Sequence, residues 1–148
     1  HWAFAGTGIY YGDVLGAQSH VFGYEVDGLE HEVRGGLPYP TATSGAPDGL
    51  QILALGMASQ VEESADIAAE DQFLGDEDGR FSAETLFGSA SDANLDKVKR
   101  GNGMIVNFPR GKGEVFHAGS CEWVAGLLRG DAMVERVTRN VLDRYLGK

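Results

Sequence analysis

The stretch MIVNFPRGKGEVFHAGSCEWVAGL, residues 104–127, decides the fold of this 148-residue chain. Residues 104–108 and 114–118 both have strand-forming patterns, and a loop containing proline and glycine separates them, which predicts a β-hairpin. After Gly119 the spacing of apolar residues changes from every second position to a helical period. Ser120 stands where an N-cap residue is expected. The stretch therefore predicts two antiparallel strands followed directly by a short helix.

A longer helix is predicted to close the chain. Gly130 ends the preceding helix, and Asp131 is of the residue type that caps a helix N-terminus. Apolar residues then recur at helical spacing and form one face of the predicted helix. This apolar face consists of Val134, Val137, Val141, Tyr145 and Leu146.

The first half of the chain predicts two further strands. In residues 20–27 the apolar side chains alternate with polar ones, as they do in a strand. Residues 50–58 are almost continuously apolar, which is typical of a strand buried on both faces. Prolines and glycines in residues 35–49 predict an irregular loop between these strands.

The helical signals of the middle region are weaker. Residues 60–74 predict a weakly amphipathic helix, residues 75–80 a solvated turn, and residues 91–100 a short helix with Leu95 and Val98 facing inward. With the strands, these signals predict an α/β fold in which helices flank a sheet. We expect residues 1–148 to be a single segment.

Composition and charge exclude some classes of function. The net charge of −10 repels nucleic acids and anionic membranes, and no stripe of lysine or arginine offsets it. No stretch approaches the roughly 20 apolar residues that a membrane-spanning helix needs. We therefore expect neither a nucleic-acid partner nor a membrane partner.

The ends and the single cysteine suggest the context of the chain. The start, HWAFAGTG, has neither the basic region nor the apolar run of a signal peptide, and it is typical of the interior of a longer chain. One cysteine, Cys121, cannot form a disulfide within the chain. These features favour a cytoplasmic location.

Two carboxylates form the first candidate site. In the predicted strand 20–27, Glu25 and Asp27 lie on one face, roughly 7 Å apart. Such a pair can hold a metal ion or divide acid and base catalysis. The alternative is that both side chains lie on the solvent face of an edge strand in an acidic protein.

A cysteine and a histidine form the second candidate site. Cys121 is predicted at a helix N-terminus, where backbone amides stabilise a thiolate, and His117 precedes it by four residues. The two residues could form a nucleophile and base pair. The alternative is that Cys121 is a small residue that packs at the helix start.

Several stretches of the chain resemble one protein family. The stretches HWAFAGTG (1–8), VFGYEVDGL (21–29), NFPRGKGEVFHAGSCEWVAGL (107–127) and ERVTRNVLDRYL (135–146) are similar to the end of the large (beta) subunit of N,N-dimethylformamidase. Residues 60–100 show the least similarity. The resemblance implies a partial sheet flanked by helices, like that of class I glutamine amidotransferases, with this chain as the C-terminal part of a larger catalytic domain.

The resemblance also implies a chemistry. The family hydrolyses N-substituted formamides to formate and an amine, with an iron ion that two tyrosines and a glutamate hold. Those ligands are expected upstream of His1, so none is expected in this segment. Glu25 is similar in position to a glutamate of the family that orients water or relays a proton beside the iron. Asp27 is a weaker candidate, and His117 and Glu122 are expected near the pocket because they follow a strand end.

Three functions remain open from the sequence. The first is the C-terminal segment of an iron-dependent formamide amidohydrolase, whose partners are a small amide substrate and the rest of its own large subunit. The second is a non-catalytic binding or assembly module of the same fold. The third is a hydrolase that uses Cys121 and His117. A small partner subunit and a homo-oligomer stay open in each case.

Overall fold

The computed structural model describes residues 1–19, 21–22, 26–57, 77–98 and 101–148. These residues form a mixed α/β structure with two small antiparallel sheets and four α-helices. The strands are β1 (His31–Arg34), β2 (Leu37–Pro40), β3 (Gln51–Met57), β4 (Asn102–Arg110) and β5 (Gly113–His117). The helices are α1 (Glu77–Phe87), α2 (Asp92–Val98), α3 (Trp123–Leu128) and α4 (Ala132–Tyr145), and a 3₁₀ turn spans Trp2–Phe4.

The larger sheet has the strand order β3-β4-β5, with β4 in the centre. The predicted hairpin in the last third of the chain is confirmed as β4 and β5, which pair from Val106↔His117 to Arg110↔Gly113. Both strands extend further toward the connecting turn than predicted, so the turn contains only Gly111 and Lys112. Gly111 has a φ of +59°, which a glycine adopts without steric cost.

Helices α3 and α4 cover one face of this sheet. The buried core that they form with it consists of Ala3, Val21, Ile105, Trp123, Val134 and Val137. The predicted cap of α4 is confirmed, because the Asp131 side chain accepts hydrogen bonds from the N–H groups of Met133 (3.0 Å) and Val134 (3.1 Å). These bonds satisfy two of the N–H groups that a helix start leaves unpaired.

The predicted N-cap of α3 is wrong by two residues. The helix begins at Trp123, with Glu122 at the N-cap position. Ser120 forms a β-bridge with Val26, and its hydroxyl accepts a hydrogen bond from the Glu122 N–H at 3.1 Å. Since the bridge holds Ser120 in an extended conformation, the helix starts after it.

Strand β3 confirms a strand near residues 50–58 but not its burial. It lies at the edge of the three-stranded sheet and pairs antiparallel with β4. Leu55 is 45% exposed, and most of the strand is only half-buried. A continuous apolar run indicates a strand, but it does not show how many layers cover that strand.

The predicted irregular loop 35–49 is wrong in its first part, because β2 lies within it. Gly35 and Gly36, with φ of +58° and +85°, form a two-residue turn between β1 and β2. This φ pattern is typical of the tight turns that connect hairpin strands. Pro38 and Pro40 occupy β2 because an outer edge needs no N–H donor there.

The remaining predictions have mixed outcomes. Of the predicted strand 20–27, His20 and residues 23–25 lie outside the described residues, as does the predicted helix 60–74. The solvated turn predicted for 75–80 is wrong from Glu77 onward, where α1 begins, and acidic residues are favourable at a helix start. Helix α2 confirms the helix predicted within 91–100, with Leu95 and Val98 half-buried. The glutamine amidotransferase-like architecture stays a prediction.

Candidate functional site

The candidate site forms where β4 and β5 diverge. Beyond the pair Val106↔His117 the β4–β5 ladder ends, and residues 26–28 insert at this end of the hairpin, where they bond to both chain segments. The Asp27 carbonyl accepts a hydrogen bond from the Met104 N–H at 2.8 Å, and the Asp27 N–H donates to the Gly119 carbonyl at 2.9 Å. The inserted segment thus replaces the missing backbone pairing at this end of the hairpin.

Glycines allow the three chain segments to approach closely. A Cβ atom added to Gly119, which has a φ of +76°, would overlap the Met104 carbonyl. A Cβ atom added to Gly28 would overlap the Asn102 carbonyl. Both positions therefore require the absence of a side chain, and Gly119 also requires its left-handed backbone conformation.

Asp27 and His117 meet in this insertion. The Nε2 atom of His117 lies 3.4 Å from the Asp27 Oδ2 atom, and His117 Nδ1 accepts a hydrogen bond from the Gly119 N–H at 3.1 Å. Because an amide N–H can only donate, Nδ1 carries no proton, and the neutral ring holds its proton on Nε2, facing the carboxylate. The side chains of His117 and Asp27 are 45% and 84% exposed, so a ligand can reach both groups.

Three predicted site residues lie outside this contact. Cys121 and Glu122 come after Ser120, in the turn before α3, and Glu25 comes two residues before Asp27 in the sequence. Cys121 is exposed, and Cys121 and Glu122 form the turn between Ser120 and α3. Glu25 lies outside the described residues, so its spacing from Asp27 stays a prediction. The structure therefore brings two of the candidates together, and the pairing of Cys121 with His117 stays a prediction.

Gly119 was missing from the sequence-based candidates. Its carbonyl accepts a hydrogen bond from the Asp27 N–H, and its own N–H donates to the His117 ring, so it connects the backbone of Asp27 to the side chain of His117. A glycine directly after a predicted strand was the available signal. That signal indicates a turn, however, and it does not indicate that another segment inserts there.

A second polar cluster lies at the other end of β5. The Glu114 carboxylate binds the Arg144 guanidinium and accepts a hydrogen bond from Asn107 Nδ2 at 3.1 Å. Hydrogen bonding from Arg144 lowers the pKa of Glu114 below its ordinary value, with a further contribution from Asn107, although partial burial opposes the shift. Arg144 also lies over the Trp2 ring, 4.7 Å from its centroid. This cluster ties α4 and the N-terminal turn to the hairpin.

The resemblance implies that the iron ligands lie upstream of His1, and the described residues leave that expectation a prediction. Within the described ranges, no three His, Cys, Asp or Glu side chains are grouped so that they could hold a metal ion. Two of the described tyrosines bond to backbone groups, Tyr11 to the Gly36 carbonyl and Tyr145 to the Phe116 N–H. No described helix has the length and apolar character needed to cross a bilayer.

Comparison with known proteins identifies the family. The family described as N,N-dimethylformamidase beta subunit-like, C-terminal, matches residues 1–136. Comparisons with curated proteins and with solved structures gave no significant match. Because the match covers most of the chain, the chain belongs to this family.

Proposed function

We propose that this member of the N,N-dimethylformamidase beta subunit-like family is the C-terminal segment of an iron-dependent amidohydrolase. In this proposal the whole protein hydrolyses N-substituted formamides to formate and an amine. The observation that carries the proposal is the family match over residues 1–136. The iron belongs to the proposal for the whole protein, and when bound it would polarise the amide carbonyl and activate a water molecule.

The segment would supply polar groups beside the reaction centre. His117 presents an N–H donor on Nε2, and Asp27 presents a carboxylate acceptor 3.4 Å away. A donor and an acceptor side by side can orient an amide, a formate ion or a water molecule. Glu25, two residues before Asp27, is proposed to orient the attacking water or to relay its proton.

The decisive experiment changes Glu25 in the native enzyme. Glu25→Gln is expected to lower formate release by more than tenfold, because general acid–base groups contribute about 10²–10⁴-fold. Glu84→Gln is the matched control, since Glu84 is exposed on α1, and it should leave turnover unchanged. Metal content measured in parallel should be equal in both variants if Glu25 is not itself a ligand.

A second pair of variants tests the cysteine alternative. Cys121→Ser should leave formate release almost unchanged under our proposal, whereas it would abolish activity if Cys121 were the nucleophile. Unchanged turnover in Glu25→Gln, with full activity in the parent enzyme, would remove Glu25 from the mechanism. Absence of formate release from the native protein would refute the proposed function itself.

A further inference from the structure

The β1–β2 hairpin leaves one edge with groups that can pair with another strand. Arg34 and Leu37 flank the turn, and their backbone groups face each other across it. Because successive residues of a strand alternate, Glu32 also faces β2, whereas His31 and Val33 direct their N–H and C=O groups outward. The hydrogen bond from the Thr41 N–H to the Glu30 carbonyl continues this alternation.

The opposite edge of the hairpin cannot pair in this way. Its outward positions on β2 are Pro38 and Pro40, which lie opposite Val33 and His31. Proline has no N–H group, so this edge offers no donor at either position. An approaching strand therefore has a complete set of donors and acceptors only along β1.

The β1 edge is exposed and has no partner among the described residues. Val33 is 63% exposed, and its backbone bonds to no described group on the outer side. A two-stranded hairpin is marginally stable alone, and an open edge is a template for a further strand. Both properties favour an additional strand beside β1.

We propose that this strand is β1 of a second copy of the chain. In an antiparallel arrangement about a two-fold axis, Val33 pairs with Val33 of the partner subunit. Glu32 then lies opposite Arg34 of the partner subunit, and Arg34 opposite Glu32 of the partner subunit. Each copy thus contributes to two cross-strand ion pairs, and the two hairpins form one four-stranded sheet.

Charge favours this self-pairing over other surfaces of the chain. The chain carries a net charge of −10, but residues 31–40 contain one acidic residue, Glu32, and one basic residue, Arg34. Glu32 and Arg34 already lie on one face, with Arg34 Nε 3.3 Å from Glu32 Oε1. The hairpin is therefore nearly neutral although the chain is acidic. Under two-fold symmetry its one acidic residue lies opposite the basic residue of the other copy.

The first test is sedimentation equilibrium of the native protein from about 10 μM to about 1 mM, since pairing along one short strand edge is expected to be transient. The chain is expected to show a monomer–dimer equilibrium. Val33→Pro should weaken the association at least about tenfold, because it removes the outward N–H without removing a bond to β2. If hydrogen exchange of the Val33 N–H slows as the protein concentration rises, the contact between the copies lies at this edge.

Charge reversal provides a test that does not depend on proline. Glu32→Arg and Arg34→Glu should each weaken self-association at least about tenfold, because like charges then lie opposite each other. An equimolar mixture of the two variants should form a heterodimer, and the double variant E32R/R34E should regain self-association. The double variant keeps the net charge, so its recovery separates pairing from general repulsion.

Each other outcome contradicts the proposal. A chain that stays monomeric at about 1 mM, or a Val33 amide that stays unprotected, would refute pairing along β1. A dimer that persists equally in all variants would place the contact on another surface. Association only with an unrelated protein would assign the edge to a different partner.

Discussion

The two hairpins among the described residues share a topology but differ in what surrounds them. Strands β4 and β5 lie beneath α3 and α4, and Met104 and Ile105 are almost fully buried. Strands β1 and β2 are joined by an equally tight turn, yet Val33 and Leu37 remain 63% and 47% exposed. Both turns contain glycine with positive φ, so local turn chemistry does not distinguish the hairpins.

The difference shows which contribution makes a hairpin part of the core. Turn residues bring two strands together, but burial of apolar surface contributes most of the free energy of folding. The β4–β5 hairpin gains that burial from helices that follow it directly in sequence. The β1–β2 hairpin has no such cover among the described residues, and we therefore expect it to open more easily.

The largest expected effect is at Gly119, beside the buried hairpin. Gly119→Ala should lower the free energy of unfolding by about 3–5 kcal/mol, because a positive φ and overlap with the Met104 carbonyl both oppose a side chain. Gly35→Ala is the matched control in the exposed hairpin, where φ is +58° and the space is open. It should cost only about 1 kcal/mol, as measured by urea unfolding. Equal losses would contradict the difference between the hairpins.

A medium effect is expected from truncating an apolar side chain in each hairpin. Ile105→Ala should lower the free energy of unfolding by about 2–5 kcal/mol, because Ile105 is fully buried and its loss creates a cavity. Val33→Ala should change it by less than about 0.5 kcal/mol. Urea unfolding of both variants tests this, and a loss above 1.5 kcal/mol for Val33→Ala would show that β1 belongs to the core.

The smallest expected effect concerns pH. Burial raises the pKa of Asp131, but hydrogen bonds from Ser19 and from the N–H groups of Val134 and Met133 outweigh it, and the pKa is lowered from 3.8. A lowered folded-state pKa means that the stabilisation is complete above the unfolded pKa of 3.8 and is lost as the pH falls from there through the folded-state pKa.

Replacement by asparagine separates the charge of Asp131 from its capping role. Asp131→Asn keeps a good N-cap, so at pH 7 it should cost about 1 kcal/mol or less. Its Tm should fall less steeply than that of the parent chain between pH 5 and pH 3. Glu30→Gln, near the exposed hairpin, should change the pH profile of Tm in the same direction but to a smaller extent, because hydrogen bonds from Thr43 and Thr41 lower the pKa of the Glu30 carboxyl but solvent screens this exposed group. Parallel profiles for Asp131→Asn and the parent would contradict the assignment.

The sequence predicted the elements whose signals are local. The β4–β5 hairpin and α4 follow from alternation, turn residues and a cap that lie within a few positions of each other. The β1–β2 hairpin was missed because its prolines indicate a loop, and only the pairing shows that both occupy outward positions. The sequence indicates that β3 is a strand, but how deeply the strand is buried depends on which distant parts of the chain pack against it.

The candidate site was predicted as separate residues. Asp27 and His117 were both identified by residue type, but the contact between their side chains depends on an insertion that no local pattern shows. The ion pair of Glu114 with Arg144 was missed for the same reason, since these residues come from a strand and a helix that pack together. The contribution of Glu25 stays a prediction from the family resemblance.

The insertion of residues 26–28 at the end of the β4–β5 ladder also has a consequence for the order of folding. The β4–β5 turn closes over a few residues, whereas the contact between Asp27 and His117 requires closing a loop of about 90 residues, which costs more entropy and is slower. We expect the hairpin and its helices to form early and the histidine–carboxylate pair to form late. A newly synthesised chain would then reach its compact helical layer before it acquires any binding chemistry at this end of the sheet.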